Sequence, residues 1–313
     1  MSVPLSIGMP IYNAAAYLEE AIASLLKQTY GDFELIISDN RSTDASVSIC
    51  RDLAATDSRI SVVVRSENVG VCRNFNEVFY RSRGEYFKWA AGDDRCDPNY
   101  LSRCIHVLQE NEQVVCCHSR TVKVTPSNCP RPDFGDPTVF LSNDGTRKLD
   151  ASGPQPSSRF EDVLLSSGWG VRSYGVVRRT CLERTRLIQP YFGFEKVLMA
   201  ELSLMGRFHD VEEVLFFQRI HQESTSSLAT AERQQEWFAP ETKRVKRGLP
   251  IRMRLFRGYL AAIRRSKISW MEKSKCFLAL GKYLGQFGKW RSIIGSAGLG
   301  NSGDAYSTSE ARP

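Results

Sequence analysis

The 313-residue chain is long enough for one large domain or two modest ones. Its 42% hydrophobic and 25% charged residues are typical of a folded protein and exclude a wholly disordered one. We expect no secretion signal and no membrane span, because no suitably long apolar stretch is present. Nine cysteines without a CxxC pair favour reduced thiols in a cytoplasmic protein over a disulfide framework or a zinc site.

The positive charge is concentrated in one part of the chain. The net charge is +7, but residues 241–295 hold fifteen Lys or Arg and two Glu, which leaves −6 for the remainder. This asymmetry predicts that one end of the protein meets an anionic partner.

Apolar strand-like runs alternate with helix-like segments through the first ninety residues. Three such repeats favour an α/β fold, with a mostly parallel sheet flanked by helices. No GxGxxG fingerprint or GxxxxGK[ST] loop follows a strand, which argues against NAD enzymes and ATPases. The predicted strands are 5–9, 33–38, 60–65 and 86–91, and the predicted helices are 17–28, 45–55 and 71–83.

Two adjacent carboxylates, Asp93 and Asp94, follow the fourth predicted strand. Right-handed crossovers would bring the loops 10–13, 39–44 and 93–97 to one edge of the sheet, where ligands of open α/β sheets bind. Paired acids without nearby Cys or His suit Mg²⁺ or Mn²⁺ held partly by substrate phosphates. The simpler alternative is a polar turn that caps a helix beginning at Pro98.

The basic segment has apolar residues at helical spacing, from Ile251 to Ile263 and again from Phe277 to Phe287. We therefore expect a basic amphipathic helical extension over 226–295. Such helices suit an anionic membrane surface, but packing on the rest of the protein or on a partner subunit is equally open. No motif supports nucleic acid as a partner. Residues 296–313 are expected to form a disordered tail.

Several motifs agree in order and spacing with one known family. Together they resemble a family 2 glycosyltransferase of the GT-A fold, of the bacterial type. The resemblance implies a catalytic domain over 1–225, with a nucleotide-sugar half over 1–115 and an acceptor half over 116–225. The motifs are Pro10-Ile-Tyr-Asn13, Gln28-Thr-Tyr, Phe-Glu-Leu-Ile-Ile-Ser-Asp39, Ser42-Thr-Asp44, Asn68-Val-Gly70, Arg73-Asn74, Gly84-Glu-Tyr and Gly-Asp93-Asp94, with Glu195 to Arg207 and Phe216 to His221 similar to the acceptor-side half.

The resemblance also implies a nucleotide site. Asp39 would hydrogen-bond the base, for which uracil is our expectation, and the turn of Pro10, Tyr12 and Asn13 would carry base and ribose. Arg73 would face the base or a phosphate, although an arginine on a helix is more often solvated. The alternatives are an ordinary turn after the first strand and a helix cap at Asp39.

The predicted metal site follows from the same resemblance. Asp93 aligns with the second acid of the family's DxD motif, while Ala91 replaces the first. Asp93, assisted by Asp94, would bind the Mn²⁺ or Mg²⁺ that neutralises the leaving nucleoside diphosphate. Alternation along a strand puts Arg219 and His221 on one face, where Arg219 would hold the diphosphate and His221 would complete the metal shell.

Glu195 is the candidate general base, in the position of the family's aspartate. The alternative is a first-turn glutamate that the helix dipole favours. Glu201 is its rival, but it lies about 120° around the helix from Glu195, so both cannot face one substrate.

The resemblance therefore implies an inverting, metal-dependent hexosyltransferase. It would move a sugar from a nucleotide-sugar donor, UDP-linked by expectation, to a glycan or lipid-linked acceptor in surface-polysaccharide synthesis. We interpret residues 125–158 as the acceptor-side flap. The enzyme would be cytoplasmic, with peripheral attachment to the inner face of the plasma membrane if the basic helices bind there. A sugar-nucleotide nucleotidyltransferase and a non-catalytic membrane-docked scaffold are the alternatives.

Overall fold

The computed structural model describes residues 3–131, 135, 149–166, 169–221 and 251–285. Three predictions therefore lie wholly or partly outside the described residues. They concern the tail over 296–313, the extension before 251 and after 285, and much of the flap over 125–158.

In the described part of the chain, one mixed sheet contains the strands β1 (Leu5–Ile11), β2 (Phe33–Asp39), β3 (Ile60–Val64), β4 (Tyr86–Trp89), β5 (Arg95–Cys96), β6 (Val114–Val124), β7 (Val176–Arg178) and β8 (Arg207–Arg219). Their order is β3-β2-β1-β4-β7-β6-β8-β5. The first four are parallel neighbours, and β6 is parallel to β8. The short β7 runs antiparallel to β4 and β6, and β5 runs antiparallel to β8.

Helices cover both faces of this sheet. In the described residues, the helices are α1 (Ala15–Leu26), α2 (Ser46–Thr56), α3 (Val71–Arg81), α4 (Tyr100–Glu110), α5 (Pro156–Leu165), α6 (Trp169–Arg172), α7 (Arg179–Leu182), α8 (Phe194–Ser203), α9 (Ile251–Arg265) and α10 (Trp270–Leu284). One hydrophobic cluster joins alternate side chains of β1 to α1 and α4. The other cluster joins the opposite face of the sheet to α3, α5, α8, α9 and α10.

The predicted α/β fold is confirmed, and most of the predicted strands and helices differ from the observed ones only at their ends. The fourth strand ends at Trp89 and not at residue 91. Helix α4 begins at Tyr100, so the predicted start at Pro98 is wrong by two residues.

The two C-terminal helices pack on the rest of the protein. Tyr259 and Ile263 of α9 are fully buried, and the Tyr259 ring meets Phe160 of α5 edge to face. Glu272 of α10 accepts a hydrogen bond from the backbone nitrogen of Ser157, 3.0 Å away. The structure shows that these apolar faces pack on the rest of the protein, and the predicted membrane contact is not supported. None of the helices in the described ranges is long and apolar enough to cross a bilayer.

Candidate active site

The loops that follow β1 and β2 are joined at one edge of the sheet. Ile11 pairs with Asp39 in register, so both strands end at the same level. The backbone nitrogen of Asn13 donates to Ser42 Oγ (2.8 Å), and the nitrogen of Thr43 donates to Asn13 Oδ1 (2.8 Å). Asn13 has a φ of +48°, a left-handed conformation that asparagine tolerates better than most residues. The sequence motif at Asn13 therefore sets the shape of the double loop.

Asp39 closes the floor of this double loop. Its side chain is fully buried, and Oδ2 accepts a hydrogen bond from the backbone nitrogen of Ser42 at 2.9 Å. Oδ1 is also buried and has no hydrogen-bond partner among the described residues. A buried acceptor of this kind is costly to leave unpaired, which makes Oδ1 a position for the N–H group of a ligand.

Pro10, Tyr12 and Arg73, which were also predicted to bind the nucleotide, lie on β1, on the loop after it and on α3. Pro10 is buried within β1, whereas the Tyr12 side chain is 47% exposed. Arg73 is exposed in the first turn of α3, beside Asn74, whose amide nitrogen donates to the Ser38 carbonyl at 2.9 Å. The structure thus places Arg73 near the end of β2.

Asp44 lies next to the start of α2 but is not its N-cap residue. The N-cap residue is Ala45, and Asp44 Oδ1 accepts from the backbone nitrogen of Ser46 (3.0 Å). Its Oδ2 accepts from the backbone nitrogen of Ala15 (3.0 Å), which links the starts of α1 and α2. The side-chain hydrogen bonds hold the pKa of Asp44 below its ordinary value, although partial burial acts in the opposite direction.

Asp93 and His221 meet at the same edge, after β4 and β8 respectively. Asp93 Oδ2 lies 2.9 Å from His221 Nε2. The Asp93 side chain is about one-third exposed, and the His221 side chain is more deeply placed and packs beside the Tyr17 ring. The two predicted metal ligands are therefore brought together.

Arg219 is buried, and its guanidinium group forms hydrogen bonds with other residues of the protein. Its Nε donates to the Asp93 carbonyl (2.9 Å), Nη1 to the Pro126 carbonyl (2.6 Å) and Nη2 to Glu20 Oε2 (2.6 Å). The backbone nitrogen of Arg219 donates to Asp94 Oδ1 at 2.9 Å. Both side chains therefore brace the carboxylate loop, and the predicted diphosphate contact of Arg219 and metal contact of Asp94 stay predictions. Burial and the nearby charge of Asp93 raise the pKa of Asp94 well above its usual range.

Glu195 lies in the first turn of α8. The helix follows Gly193, whose φ of +83° gives the sharp entry that glycine allows. The Glu195 side chain lies against Gly170, and burial raises the pKa of its carboxyl group. The pKa of Tyr174 is raised first by burial and then by the charges of Asp94, Asp93 and Glu195, so Tyr174 lies within electrostatic range of all three acids.

Glu201 does not share this position. Its carboxylate is bound to Arg186, with Nε 3.2 Å from Oε1 and the backbone nitrogen 3.0 Å from Oε2. Glu195 and Glu201 therefore have separate surroundings, as their helical spacing predicts.

Lys88 is a site residue that the sequence did not reveal. Its side chain is fully buried in β4, and Nζ donates to the carbonyl groups of Tyr174 (2.5 Å) and Trp89 (3.1 Å). Burial lowers the pKa of the Lys88 amine. A lysine inside an otherwise apolar strand was the available signal, and it indicates a buried polar group that supports the loop after β4.

The Asp93–His221 pair fits a divalent cation. In the described ranges, no group of three or more His, Cys, Asp and Glu side chains is placed to hold a metal ion by itself. Neighbouring ligands at about 2.1 Å from an octahedral ion lie about 3.0 Å apart, close to the observed 2.9 Å. Ions of the Mg²⁺ type keep one or two protein ligands and take the others from phosphates and water, so two donors suffice.

Comparison with solved structures defines the class of fold. A crystal structure of S. aureus TarS 1-349 in complex with UDP matches with a TM-score of 0.60 at 15% identity, covering 95% of this chain and 75% of that one. The mannosyltransferase PcManGT from Pyrobaculum calidifontis, in complex with GDP-Man and Mn²⁺, matches with a TM-score of 0.60 at 16% identity, covering 96% and 77%. At these identities the likeness shows the fold alone, which is the GT-A glycosyltransferase fold.

The sequence comparison then gives the family. Residues 6–159 match the family described as Glycosyl transferase family 2. Bacillus subtilis TuaG, a glycosyltransferase whose name refers to teichuronic acid biosynthesis, is 32% identical over 106 residues, which cover 34% of this chain and 42% of TuaG. The segment over residues 6–159 therefore belongs to glycosyl transferase family 2. The chain spans 37–46% of the length of the first curated relatives that it matches.

Proposed function

We propose that this protein is an inverting, metal-dependent glycosyltransferase that moves a sugar from a nucleotide-sugar donor to a glycan or lipid-linked acceptor. The observation that carries the proposal is the contact of Asp93 with His221 at the edge where Asp39 closes the β1–β2 double loop. A metal site beside a base site is the arrangement that a nucleoside diphosphate requires.

Asp39 would select the base. Its unpaired Oδ1 is an acceptor suited to the imide N–H of uracil, while Oδ2 keeps its bond to the Ser42 nitrogen. Tyr12 is exposed beside it and offers a ring for stacking. The TarS complex with UDP supports uracil, whereas the PcManGT complex with GDP-Man favours guanine, which also carries an N–H donor.

Asp93 and His221 would hold Mn²⁺ or Mg²⁺ together with the diphosphate oxygens. The ion supplies positive charge that stabilises the leaving nucleoside diphosphate. Ala91 offers no ligand at the position of the family's first acid, and His221 provides a second donor in its place. The Mn²⁺ in the PcManGT complex supports this reading.

Glu195 would act as the general base. In a single displacement, the acceptor oxygen forms a bond to C1 of the sugar while its proton passes to Glu195. The bond from C1 to the diphosphate oxygen breaks, and its electron pair leaves with the nucleoside diphosphate. The raised pKa of Glu195 suits a group that takes a proton near neutral pH.

The relative TuaG, by its name, supports an acceptor in the assembly of a cell-surface polysaccharide.

Calorimetric titration with UDP, GDP and dTDP, each with and without Mn²⁺, tests the donor half of this proposal. We expect one nucleotide to bind tightly only when Mn²⁺ is present. Asp39→Ala and Asp93→Ala should each weaken that binding about 10- to 100-fold, and Asp52→Ala, an exposed acid on α2, should leave it unchanged. Metal-independent binding, or binding that Asp93→Ala leaves unchanged, would contradict the metal role.

A further inference from the structure

A groove of about 660 Å³ lies beside α9, away from the sheet edge. Five arginines line it, together with Tyr191 from the segment that leads into α8. Its volume falls within the range of about 300–1,000 Å³ that is typical of small-molecule sites. The arginines are Arg186, Arg254, Arg257, Arg264 and Arg265.

The groove is strongly cationic. Glu201 contacts two of its arginines, with Oε1 3.2 Å from Arg186 Nε and 3.9 Å from Arg265 Nη1. The exposed guanidinium groups of Arg257 and Arg264 have no hydrogen-bond or ion-pair partner within the part of the chain that the structure describes. A concave surface with unneutralised guanidinium groups concentrates positive potential and attracts anions.

Guanidinium groups match phosphate better than other common anions of this size. Each presents a planar set of donors that can bind two phosphate oxygens at once, and several around one concave site favour a doubly charged group. The groove offers one aromatic ring, that of Tyr191, so it lacks the series of stacking platforms that single-stranded nucleic acid uses.

The groove lies beside the segment that leads into α8. Tyr191 lines the groove and stands four residues before Glu195 in the chain. The Tyr191 hydroxyl is buried, and it has no hydrogen-bond partner among the described residues. Gly258 lets α9 approach this ring, because a Cβ there would lie 3.1 Å from the hydroxyl oxygen. A ligand in the groove would therefore be close to the start of α8, where Glu195 lies.

We propose that this groove binds the phosphate groups of the acceptor, so that the acceptor is a glycan carried on a phosphate or diphosphate. The arginines hold the phosphate end, and the glycan extends past Tyr191 to place its hydroxyl group beside Glu195. The statement that this ligand is the acceptor rests on the proposed function. The binding of phosphate by the groove can be measured independently of that function.

The test is calorimetric titration of the full chain with inorganic pyrophosphate in EDTA. Without a cation, the acids at the sheet edge repel pyrophosphate, so binding reports the groove. The wild type should bind, and Arg257→Glu with Arg264→Glu should weaken binding at least about tenfold. Lys27→Glu with Arg51→Glu, which makes the same charge change at exposed sites just after α1 and on α2, should leave binding unchanged.

Two further arms make the outcome specific. Arg257→Gln with Arg264→Gln guards against misfolding of the charge-reversed variant, and it should show the same direction of change. Sedimentation with phosphatidylglycerol and phosphatidylcholine vesicles then separates two sources of phosphate. Arginine-dependent binding to the anionic vesicles supports a membrane-borne acceptor, and pyrophosphate binding alone supports a water-soluble one.

The proposal is overturned if the wild type does not bind pyrophosphate, or if neither double replacement of Arg257 and Arg264 weakens that binding. Titration with UDP and Mn²⁺ on the same variants keeps this outcome separate from the proposed function. Loss of the groove should leave nucleotide binding intact, whereas failure of the donor site would appear as absent nucleotide binding in the wild type.

Discussion

Asp93 Oδ2 and His221 Nε2 lie 2.9 Å apart although 128 positions separate the two residues. The short strand β5 explains this contact. Arg95 pairs with Phe217 in antiparallel register, which fixes the loop after β4 against the end of β8. The proposed metal site therefore depends on a two-residue strand that closes the edge of the sheet.

If Asp93 and His221 hold one ion, the losses of nucleotide-binding free energy caused by replacing each residue should not be additive. We expect Asp93→Ala and His221→Ala each to weaken Mn²⁺-dependent nucleotide binding about 10- to 100-fold. The double variant should lose little more than the stronger single variant, because the ion is already gone. Calorimetry with and without Mn²⁺ measures all four proteins. Fully additive losses would mean that the two side chains act separately.

Replacement of Glu195 should separate catalysis from nucleotide binding. Glu195→Gln keeps the size of the side chain but cannot accept a proton, so we expect kcat to fall about 10²- to 10⁴-fold. Nucleotide affinity should stay unchanged. In the wild type, activity should fall as pH drops through the raised pKa of Glu195, because the protonated form cannot act as base.

The same variant should be more stable than the wild type at neutral pH. The folded-state pKa of Glu195 lies above its ordinary 4.5, so the folded protein binds more protons and loses stability as pH rises from 4.5 through that pKa. Glutamine removes this cost. Thermal unfolding should show a gain at pH 7 that disappears near pH 3, where the acid is protonated in both states. An equal gain at both values would point to packing.

The brace around Arg219 gives a prediction about stability. Arg219→Met removes three hydrogen bonds of a buried guanidinium group and leaves the Asp93 and Pro126 carbonyl groups without this donor, so we expect a loss of about 2–4 kcal/mol in the free energy of unfolding. Arg103→Met is a matched control, since its pair with Glu213 (2.8 Å) is exposed. It should cost less than about 1 kcal/mol in urea unfolding. Similar losses in the two variants would contradict the brace.

The sequence predicted the elements around Asp39 and Asp93 because alternation and helical spacing are local properties of the chain. It also placed both residues at one edge, since parallel strands end on the same side of a sheet. The role of Arg219 was not predictable in this way. Its partner Glu20 is 199 positions away, and a strand-end arginine looks the same whether it faces phosphate or protein.

The buried Lys88 shows a second limit of the pattern. The alternation of side chains along β4 shows which face of the sheet Lys88 occupies. It does not show the hydrogen-bond partner that makes the burial of Lys88 tolerable, which is the carbonyl group of Tyr174 in the other half of the chain. Similarly, basic residues on α9 and α10 indicated an anionic partner without showing that the apolar faces were already used. Long-range packing decides both cases.

Asp39→Asn tests the base contact most directly. Asparagine has one acceptor oxygen, while both the Ser42 nitrogen and a base N–H need one, so one contact must be lost. We expect nucleotide affinity to fall about 10- to 100-fold. UDP methylated at N3 lacks the base N–H and should bind the wild type about as weakly as UDP binds the variant. If methylation weakened both proteins equally, the base would be recognised by a group other than Asp39.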